Sequence, residues 1–179
     1  MTLHPRILAL FAVLISLLSG CVSTPTGIAP VNDFSLERYL GTWHEVARLD
    51  HSFERGLSHV SAQYSLNDDG SVQVINRGWN DEDNQWKEAI GVAKFVDGAE
   101  VGHLKVSFFG PFYGSYVVFY LEEDYSAAVV SGYNRDYLWI LAREPDLPAY
   151  KLNKYVRIAQ SAGFDTEQLL FPFHGDLRE

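Results

Sequence analysis

Cysteine is nearly absent from this sequence. The single cysteine, Cys21, excludes an intramolecular disulfide framework of the kind that stabilises many small secreted domains. The 179 residues are still enough for one domain with a substantial core, and 47% of them are hydrophobic. With 11 Phe and 10 Tyr, the composition favours a β-rich fold over a disordered chain.

Basic residues are also scarce. Lys and Arg number 14 against 23 Asp and Glu, which gives a net charge of −9, and no basic run occurs. Proteins that bind nucleic acids neutralise phosphate groups with Lys and Arg. We therefore expect no nucleic-acid partner.

The sequence lacks the common catalytic and metal-binding motifs. It contains no Gly-x-Ser-x-Gly elbow, no P-loop and no Gly-x-Gly-x-x-Gly fingerprint, and its six histidines are scattered without metal-ligand spacing. Glu45 is the one candidate acid, because strand alternation turns it inward. Since a bare buried charge is costly, we interpret Glu45 as a structural carboxylate held by hydrogen bonds. We expect no enzyme activity, no metal and no cofactor.

Only one long apolar run occurs, and it lies near the N-terminus. Residues 7–18 are apolar apart from Ser16 and follow a basic start, but they are too few to cross a bilayer about 30 Å thick. The run ends in Leu-Ser-Gly-Cys21, which resembles the lipobox of bacterial lipoproteins. This resemblance implies a signal peptide over residues 1–20, cleavage before Cys21 and a diacylglycerol on its thiol. A plain signal peptide with an incidental cysteine is the alternative.

The residues after Cys21 indicate where the protein is anchored. In Gram-negative lipoproteins an Asp at the next position commonly retains the protein in the inner membrane, and here that residue is Val22. We therefore expect a lipid anchor in the outer membrane, with the protein facing the periplasm. Residues 21–32, which contain Ser, Thr, Pro and Gly, are predicted to form a lipidated flexible tether. Residues 33–179 are predicted to form the folded domain.

The remaining sequence predicts eight β-strands joined as successive neighbours. Turn signals such as Asp68-Asp69-Gly70 separate alternating segments. A short helix capped by Asp33 or Ser35 precedes the first strand, and a helix over residues 148–162 follows the last. This order is typical of an all-β, up-and-down antiparallel barrel with the C-terminal helix packed outside. The predicted strands are residues 42–50, 59–67, 71–79, 85–96, 102–109, 114–122, 125–133 and 137–144.

Alternation assigns one face of each predicted strand to the barrel interior. Glycine, alanine and aromatic residues recur on that face, so we expect unfilled space for one small ligand. The sequence thus predicts a hollow, largely apolar cup that suits an acyl chain, with Val129 and Ser131 on its seventh strand. The predicted pocket residues are Ala47, Tyr64, Val74, Asn76, Phe95, Val106, Phe108, Tyr116, Val118, Tyr133 and Trp139.

Two distant segments are predicted to meet at one end of the barrel. Gly41 permits a tight turn before Trp43, and Arg143 lies on a strand face that is otherwise apolar or aromatic. An indole face can accept a guanidinium through a cation–π contact worth about 1 kcal/mol or more. We therefore expect Trp43 and Arg143 to stack.

Three short segments carry a family resemblance. Gly41-Thr42-Trp43 after a short helix, the turn Glu123-Asp124-Tyr125, and Arg143 at the end of the last strand resemble the signature segments of the lipocalins. Residues 50–57, 105–114 and 135–141 are similar to the bacterial outer-membrane members of that family. The sequence departs from the usual pattern at His44, where an aromatic residue is common, and at Glu123, where Thr is common.

The resemblance implies that the barrel has an open end and a closed end. Loops 51–58, 80–84, 110–113 and 134–136 would ring the open end, and Tyr125 would join Trp43 and Arg143 at the closed end. Exposed aromatic residues at the open end would be unusual unless they met lipid or a partner. The residues expected at the mouth are Phe53, Arg55, Leu57, Phe112, Tyr113 and Arg135, of which Arg55, Tyr113 and Arg135 are candidates to meet a head group.

The resemblance also implies a function. Fatty acids and lysophospholipids are the implied ligands, a homodimer is the implied assembly, and envelope maintenance under stress is the implied role. One alternative is a carrier of another apolar ligand, such as a tetrapyrrole or a sterol-like molecule. A scaffold whose rim binds a protein is the other.

Overall fold

Eight antiparallel strands form a closed barrel in which each strand pairs with its neighbours in sequence and β8 returns to β1. The computed structural model describes residues 22–175. Helix α1 (Leu36–Tyr39) precedes the barrel and helix α2 (Ala149–Ser161) follows it, so the predicted all-β, up-and-down architecture is confirmed. The strands are β1 (Gly41–Arg48), β2 (Leu57–Leu66), β3 (Val72–Asn80), β4 (Gln85–Phe95), β5 (His103–Phe109), β6 (Phe112–Leu121), β7 (Ala127–Ser131) and β8 (Leu138–Ala142).

Apolar side chains form two clusters, one on each side of the barrel wall. The inner cluster lies inside the barrel and includes Tyr64, Val74 and Val118. The outer cluster lies between the wall and α2 and includes Ile140 and Tyr155. Because each large buried apolar side chain contributes about 1.5–3 kcal/mol, the outer cluster fixes the helix to the wall. No helix among the described residues is long and apolar enough to cross a membrane.

A β-bulge in β1 changes which of its residues face the interior. The register against β8 shifts between Glu45 and Ala47, so Glu45 pairs with Leu141 of the inner cluster and Ala47 with Ile140 of the outer cluster. A bulge adds one residue to a strand and so exchanges the faces beyond it. The prediction that Ala47 lines the pocket is therefore wrong, because Ala47 packs on the side of α2.

A second bulge has the same effect on β6. Val118 pairs with Val130 of the inner cluster, whereas Tyr120 pairs with Val129 of the outer cluster. On β7 itself, Val129 belongs to the outer cluster and Ser131 pairs with Val117 of that cluster, so both lie on the outer face, opposite to the prediction.

The N-terminal segment lies against the outside of the barrel. Its Ile28 is buried in the outer cluster, Val31 N donates to the Val118 carbonyl oxygen at 2.9 Å, and Gly102 N donates to the Val31 oxygen at 2.8 Å. Arg135, in the turn between β7 and β8, donates to the Thr26 carbonyl oxygen at 2.8 Å. Hydrogen bonds that composition does not indicate thus hold Thr26, Ile28 and Val31, and the predicted tether over residues 21–32 stays a prediction. The predicted signal peptide and lipidation site, residues 1–20 and Cys21, lie outside the described residues and stay predictions.

The C-terminal tail, residues 170–175, completes the wall between β1 and β2. The ladder between these strands covers only Gly41 to His44 on β1. Beyond it, Leu170 exchanges backbone hydrogen bonds with Arg48 at 2.8 and 2.9 Å, and His59 N donates to the Phe173 oxygen at 2.7 Å. The tail thus satisfies backbone groups on both strands where they no longer pair with each other.

Candidate functional site

Trp43 plugs the closed end of the barrel. Its ring is fully buried, its N–H donates to the Tyr39 carbonyl oxygen at 2.8 Å, and the Arg143 guanidinium lies 4.0 Å from its ring centroid. The predicted stack is therefore present. Arg143 also ties α1 to β1, because it donates to three backbone carbonyl oxygens, those of Thr42, Arg38 and Leu40.

Tyr125 and Phe95 also belong to the closed end. The Tyr125 hydroxyl accepts from Ser35 N at 2.8 Å, and the Arg38 guanidinium lies 4.0 Å from its ring centroid. Phe95 was predicted in the pocket, but it is the last residue of β4 and its ring lies 6.2 Å from that of Phe34. Since β4 runs from the open to the closed end, Phe95 covers the floor.

Three tyrosine hydroxyls form a hydrogen-bonded chain above this floor. The Tyr116 hydroxyl lies 2.8 Å from that of Tyr39 and 2.9 Å from that of Tyr64. Burial raises the pKa of all three phenols, so they are neutral hydroxyl groups that can both donate and accept. Tyr64 and Val74, at 7% and 2% exposure, belong to this filled lower half of the interior.

Inward side chains in the upper half of the interior remain partly accessible within the closed wall. Gly91 lets the Phe108 ring lie against the backbone of β4, because a Cβ at Gly91 would come within 2.8 Å of that ring. Val118, by contrast, is completely buried in the inner cluster. The predicted pocket residues that face the interior and remain partly accessible are Asn76, Val106, Phe108, Tyr116 and Trp139.

The inward side chain of Asn76 has a polar atom without a partner among the described residues. The side-chain oxygen Oδ1 of Asn76 is buried and accepts no hydrogen bond from residues 22–175. Buried polar atoms are nearly always paired, and an amide oxygen is an acceptor. Because the atom is buried, a donor reaches it only if neighbouring side chains move.

A cluster of ionisable side chains borders the interior beside β1. Arg48 Nη1 donates to Glu45 Oε1 at 2.6 Å, and Arg48 Nη2 donates to the Glu54 carbonyl oxygen at 2.9 Å. Glu54 Oε2 accepts from Trp139 Nε1 at 3.1 Å. His51 Nε2 lies 2.9 Å from the same oxygen, but at an angle too poor for a hydrogen bond, so we describe this contact as electrostatic. No sequence pattern indicates Arg48, His51 or Glu54 as part of this cluster, because the bulge that turns Arg48 inward leaves no mark in the alternation.

The two carboxyl groups of this cluster have opposite pKa shifts. Burial, reinforced by the charge of Glu54, raises the pKa of Glu45 despite the nearby Arg48. Burial also opposes ionisation of Glu54, but the contact with His51, the Trp139 N–H and the bond to Glu45 together lower its pKa. Of the two carboxyl groups, Glu45 therefore binds a proton more tightly than Glu54. The prediction of a structural role for Glu45 agrees with these contacts.

Exposed aromatic side chains surround the mouth. Phe53 is 59% exposed with its ring 3.9 Å from that of His51, and Phe112 is 74% exposed. Phe109, which sequence analysis did not single out, is 82% exposed. Tyr133 was predicted in the pocket, but it follows the end of β7 and is 39% exposed at the rim.

The other side chains predicted at the mouth have local partners. Leu57 is half-buried at the start of β2. Arg55 pairs with Asp50 at 2.7 Å on the surface. Tyr113 lies on the outer face of β6, where Lys105 Nζ is 5.3 Å from its ring centroid, so its predicted place at the entrance is wrong.

Arg135 is a structural clamp rather than a head-group ligand. Its Nε donates to the Ala162 carbonyl oxygen at 2.9 Å and its Nη2 to the Thr26 oxygen at 2.8 Å. It thereby joins the end of α2 and the N-terminal segment to the β7–β8 turn. Both partners are distant in sequence, and no local pattern indicates them.

Two open depressions of about 370 and 720 Å³ lie on the outer surface near the closed end. Both are bordered by Leu121, Glu122 and Glu123 of the segment after β6, and neither includes a predicted pocket residue. Within residues 22–175, no three His, Asp or Glu side chains are placed to hold a metal ion.

Known proteins resemble this chain in both sequence and structure. Residues 34–174 match the lipocalin-like domain family. The chain is 54% identical over 165 residues to "Outer membrane lipoprotein Blc" of Vibrio cholerae serotype O1, covering 91% of this chain and 96% of that protein. It is 43% identical over 171 residues to the protein of the same name from Escherichia coli K12, covering 96% and 97%.

A solved structure extends the likeness to the fold. Insecticyanin from the tobacco hornworm Manduca sexta superposes with a TM-score of 0.69 at 19% identity, covering 86% of this chain and 88% of that one. At this low identity the superposition supports the fold alone, whereas the domain match and the bacterial relatives cover most of the sequence. The chain therefore belongs to the lipocalin family.

Proposed function

We propose that the protein is an outer-membrane lipoprotein, facing the periplasm, that binds a fatty acid or lysophospholipid in the upper half of its barrel. The observation that carries the proposal is the partly accessible apolar lining around Val106, Phe108 and Trp139 above a filled floor. An acyl chain needs no polar partner, and each buried CH₂ contributes about 0.8 kcal/mol. The names of the bacterial relatives support the anchor and its location. Storage or transport of lipid for envelope maintenance is the role that we assign to this binding.

The floor limits how deep the chain can enter. The hydroxyl chain of Tyr39, Tyr116 and Tyr64, together with Trp43, occupies the lower half. A single acyl chain must therefore end above Tyr116 or bend within the upper half. This geometry favours lipids with one chain over bilayer phospholipids with two.

The charges near the mouth favour a zwitterionic head group. Arg48 is bonded to Glu45 and to the Glu54 backbone, and Arg135 is bonded to two backbone oxygens, so neither guanidinium is free for a bare carboxylate. The Glu54 carboxylate can attract a cationic head group such as an ammonium. We therefore rank lysophospholipids above fatty acids.

A titration tests this proposal. The chain beginning at Cys21 is titrated with lysophosphatidylcholines of 18, 14 and 10 carbons, and the tryptophan fluorescence is followed. Shortening the chain by four carbons should weaken binding by about two orders of magnitude, because several CH₂ groups leave the apolar lining. Trp139→Phe is the matched control, since it keeps an aromatic ring in the lining and removes the reporter.

Two results would contradict the proposal. Affinity that is independent of chain length would mean that the apolar lining does not bind the acyl chain. Mass spectrometry of the purified protein that identifies a tetrapyrrole or a sterol-like molecule, rather than a lipid with one chain, would assign another ligand. The mass of the N-terminal peptide shows separately whether Cys21 is acylated.

A homodimer is part of the proposal, and an exposed apolar patch supports it. Ile90 on the outer face of β4 is 58% exposed, and Trp86 and Phe173, both beside His59, are 39% and 57% exposed. Such exposed apolar residues favour a protein interface. Sedimentation of the chain and of Ile90→Glu should show a dimer that the substitution dissociates.

A further inference from the structure

The N-terminal segment carries the predicted anchor to the open end of the barrel. Its Thr26 is bonded to Arg135, which lies in the β7–β8 turn at the mouth and also holds the end of α2. Cys21 lies five residues before Thr26. Five extended residues span at most about 18 Å. An acyl group on Cys21 therefore enters the bilayer close to the mouth.

Three strongly exposed aromatic residues lie at the same end. Phe109 and Phe112 flank the tip of the β5–β6 hairpin at 82% and 74% exposure, and Phe53 in the β1–β2 loop is 59% exposed. Aromatic side chains of this kind partition into the boundary between lipid head groups and acyl chains. No folded element among residues 22–175 covers these rings.

The turns of the closed end, residues 67–71, 96–102 and 122–126, carry no exposed aromatic ring. They contain the acidic side chains Asp68, Asp97 and Asp124, and the exposed apolar residue Leu66 directly precedes the β2–β3 turn. The exposed Tyr150, at the start of α2, borders a depression beside the β6–β7 turn. Among the connections between strands, exposed aromatic rings therefore lie at the mouth and not at the closed end.

The charges of the mouth identify the kind of lipid surface. Arg55 is paired with Asp50 and Lys87 with Asp83, while Glu82 adds an acidic group on the β3–β4 loop. The rim thus offers no excess of positive charge for anionic lipids. Its exposed aromatic rings suit a zwitterionic bilayer surface.

We propose that the open end of the barrel rests on the bilayer that holds Cys21, with Phe53, Phe109 and Phe112 in the head-group boundary. This inference rests on the proposed lipid anchor. In this orientation a lipid with one chain passes between the bilayer and the barrel without crossing water. The short link from Thr26 keeps the mouth at the membrane.

Hydrogen–deuterium exchange of the anchored protein tests this orientation. The lipoprotein is placed in phosphatidylcholine vesicles and compared with the Cys21→Ser chain in buffer. Amides of residues 108–113 should exchange about tenfold more slowly on the vesicles, while residues 67–71 of the closed end stay unchanged. Phe109→Ser/Phe112→Ser should abolish the slowing, and Tyr150→Ser, an equally exposed aromatic residue at the start of α2, should not.

Three other results would overturn the proposed orientation. Slowing at residues 67–71 alone would place the closed end on the membrane, and slowing at neither end would mean that the barrel stands clear of it. Slowing that rises with protein concentration in the absence of vesicles would show that a second copy covers the mouth. If Cys21 proves unacylated, the proposed anchor fails, and the same exchange is measured after coupling its thiol to a maleimide phospholipid.

Discussion

Replacement of Arg48 by Met tests the ionisable cluster directly. Arg48 is 3% exposed, and it bonds the Glu45 carboxyl at 2.6 Å and the Glu54 backbone oxygen at 2.9 Å. Met keeps an unbranched apolar stem but removes both bonds and the positive charge. Breaking a buried ion pair in this way costs about 3–5 kcal/mol, so the free energy of unfolding should fall by that amount at pH 7.

The loss in free energy of unfolding caused by Arg48→Met should be larger at pH 7 than at pH 5. Burial and the charge of Glu54 already raise the pKa of Glu45, and loss of Arg48 raises it further. An acid whose folded pKa exceeds its unfolded value, about 4.3 for Glu, destabilises the fold at higher pH. That penalty disappears as the pH falls through the folded pKa. The deficit of Arg48→Met relative to the wild type should therefore shrink between pH 7 and pH 5.

Urea unfolding followed by circular dichroism at both pH values measures this difference. The double variant Arg48→Met/Glu45→Gln should recover part of the loss at pH 7, because Gln carries no charge at the site of the lost partner. A deficit that is equal at both pH values, with no recovery in the double variant, would refute the assignment of buried, coupled carboxyl groups.

Three other substitutions test the floor and the clamp. Trp43→Ala should cost about 3–5 kcal/mol and lower the melting temperature by about 6–20 °C in a circular dichroism melt; an unchanged melt would mean that the ring does not plug the floor. Tyr116→Phe removes the hydroxyl that joins two buried tyrosines and should cost about 1–3 kcal/mol in urea unfolding, whereas no loss would contradict the hydroxyl chain. Arg135→Met should destabilise the protein by a similar amount without changing lysophospholipid affinity; a selective loss of affinity would restore its head-group role.

Alternation in the sequence predicted the regular strands well. In β3 the residues placed inward, such as Val74, lie inside the barrel, because its continuous ladder with β4 keeps the two-residue period. Val106 of β5 also packs against the inner cluster, as predicted. The stack of Trp43 on Arg143 was equally predictable, since a charged residue on an otherwise apolar face requires a partner.

The errors have three physical origins. A bulge broke the period at Ala47, and a bulge leaves no mark in the alternation that precedes it. Strand β7 is buried along its whole length, so no polar alternation distinguishes the outer face of Val129 from the inner face. Contacts between distant segments explain the others. Arg135 was assigned to the mouth from its position in a turn, whereas its partners lie 27 and 109 residues away. The pairing of Arg48 with Glu45 and with the β1–β2 loop is local in sequence, but it depends on the bulge that turns Arg48 inward.

The C-terminal tail makes one side of the barrel a seam. Where the ladder between β1 and β2 ends, the wall is joined by separate hydrogen bonds from Leu170, Phe173 and His174. A force applied at the C-terminus, such as the pull of an energy-dependent protease, therefore breaks these bonds one at a time before any strand pair is loaded. Such a protease would open the barrel from the side and release its contents before the fold is lost.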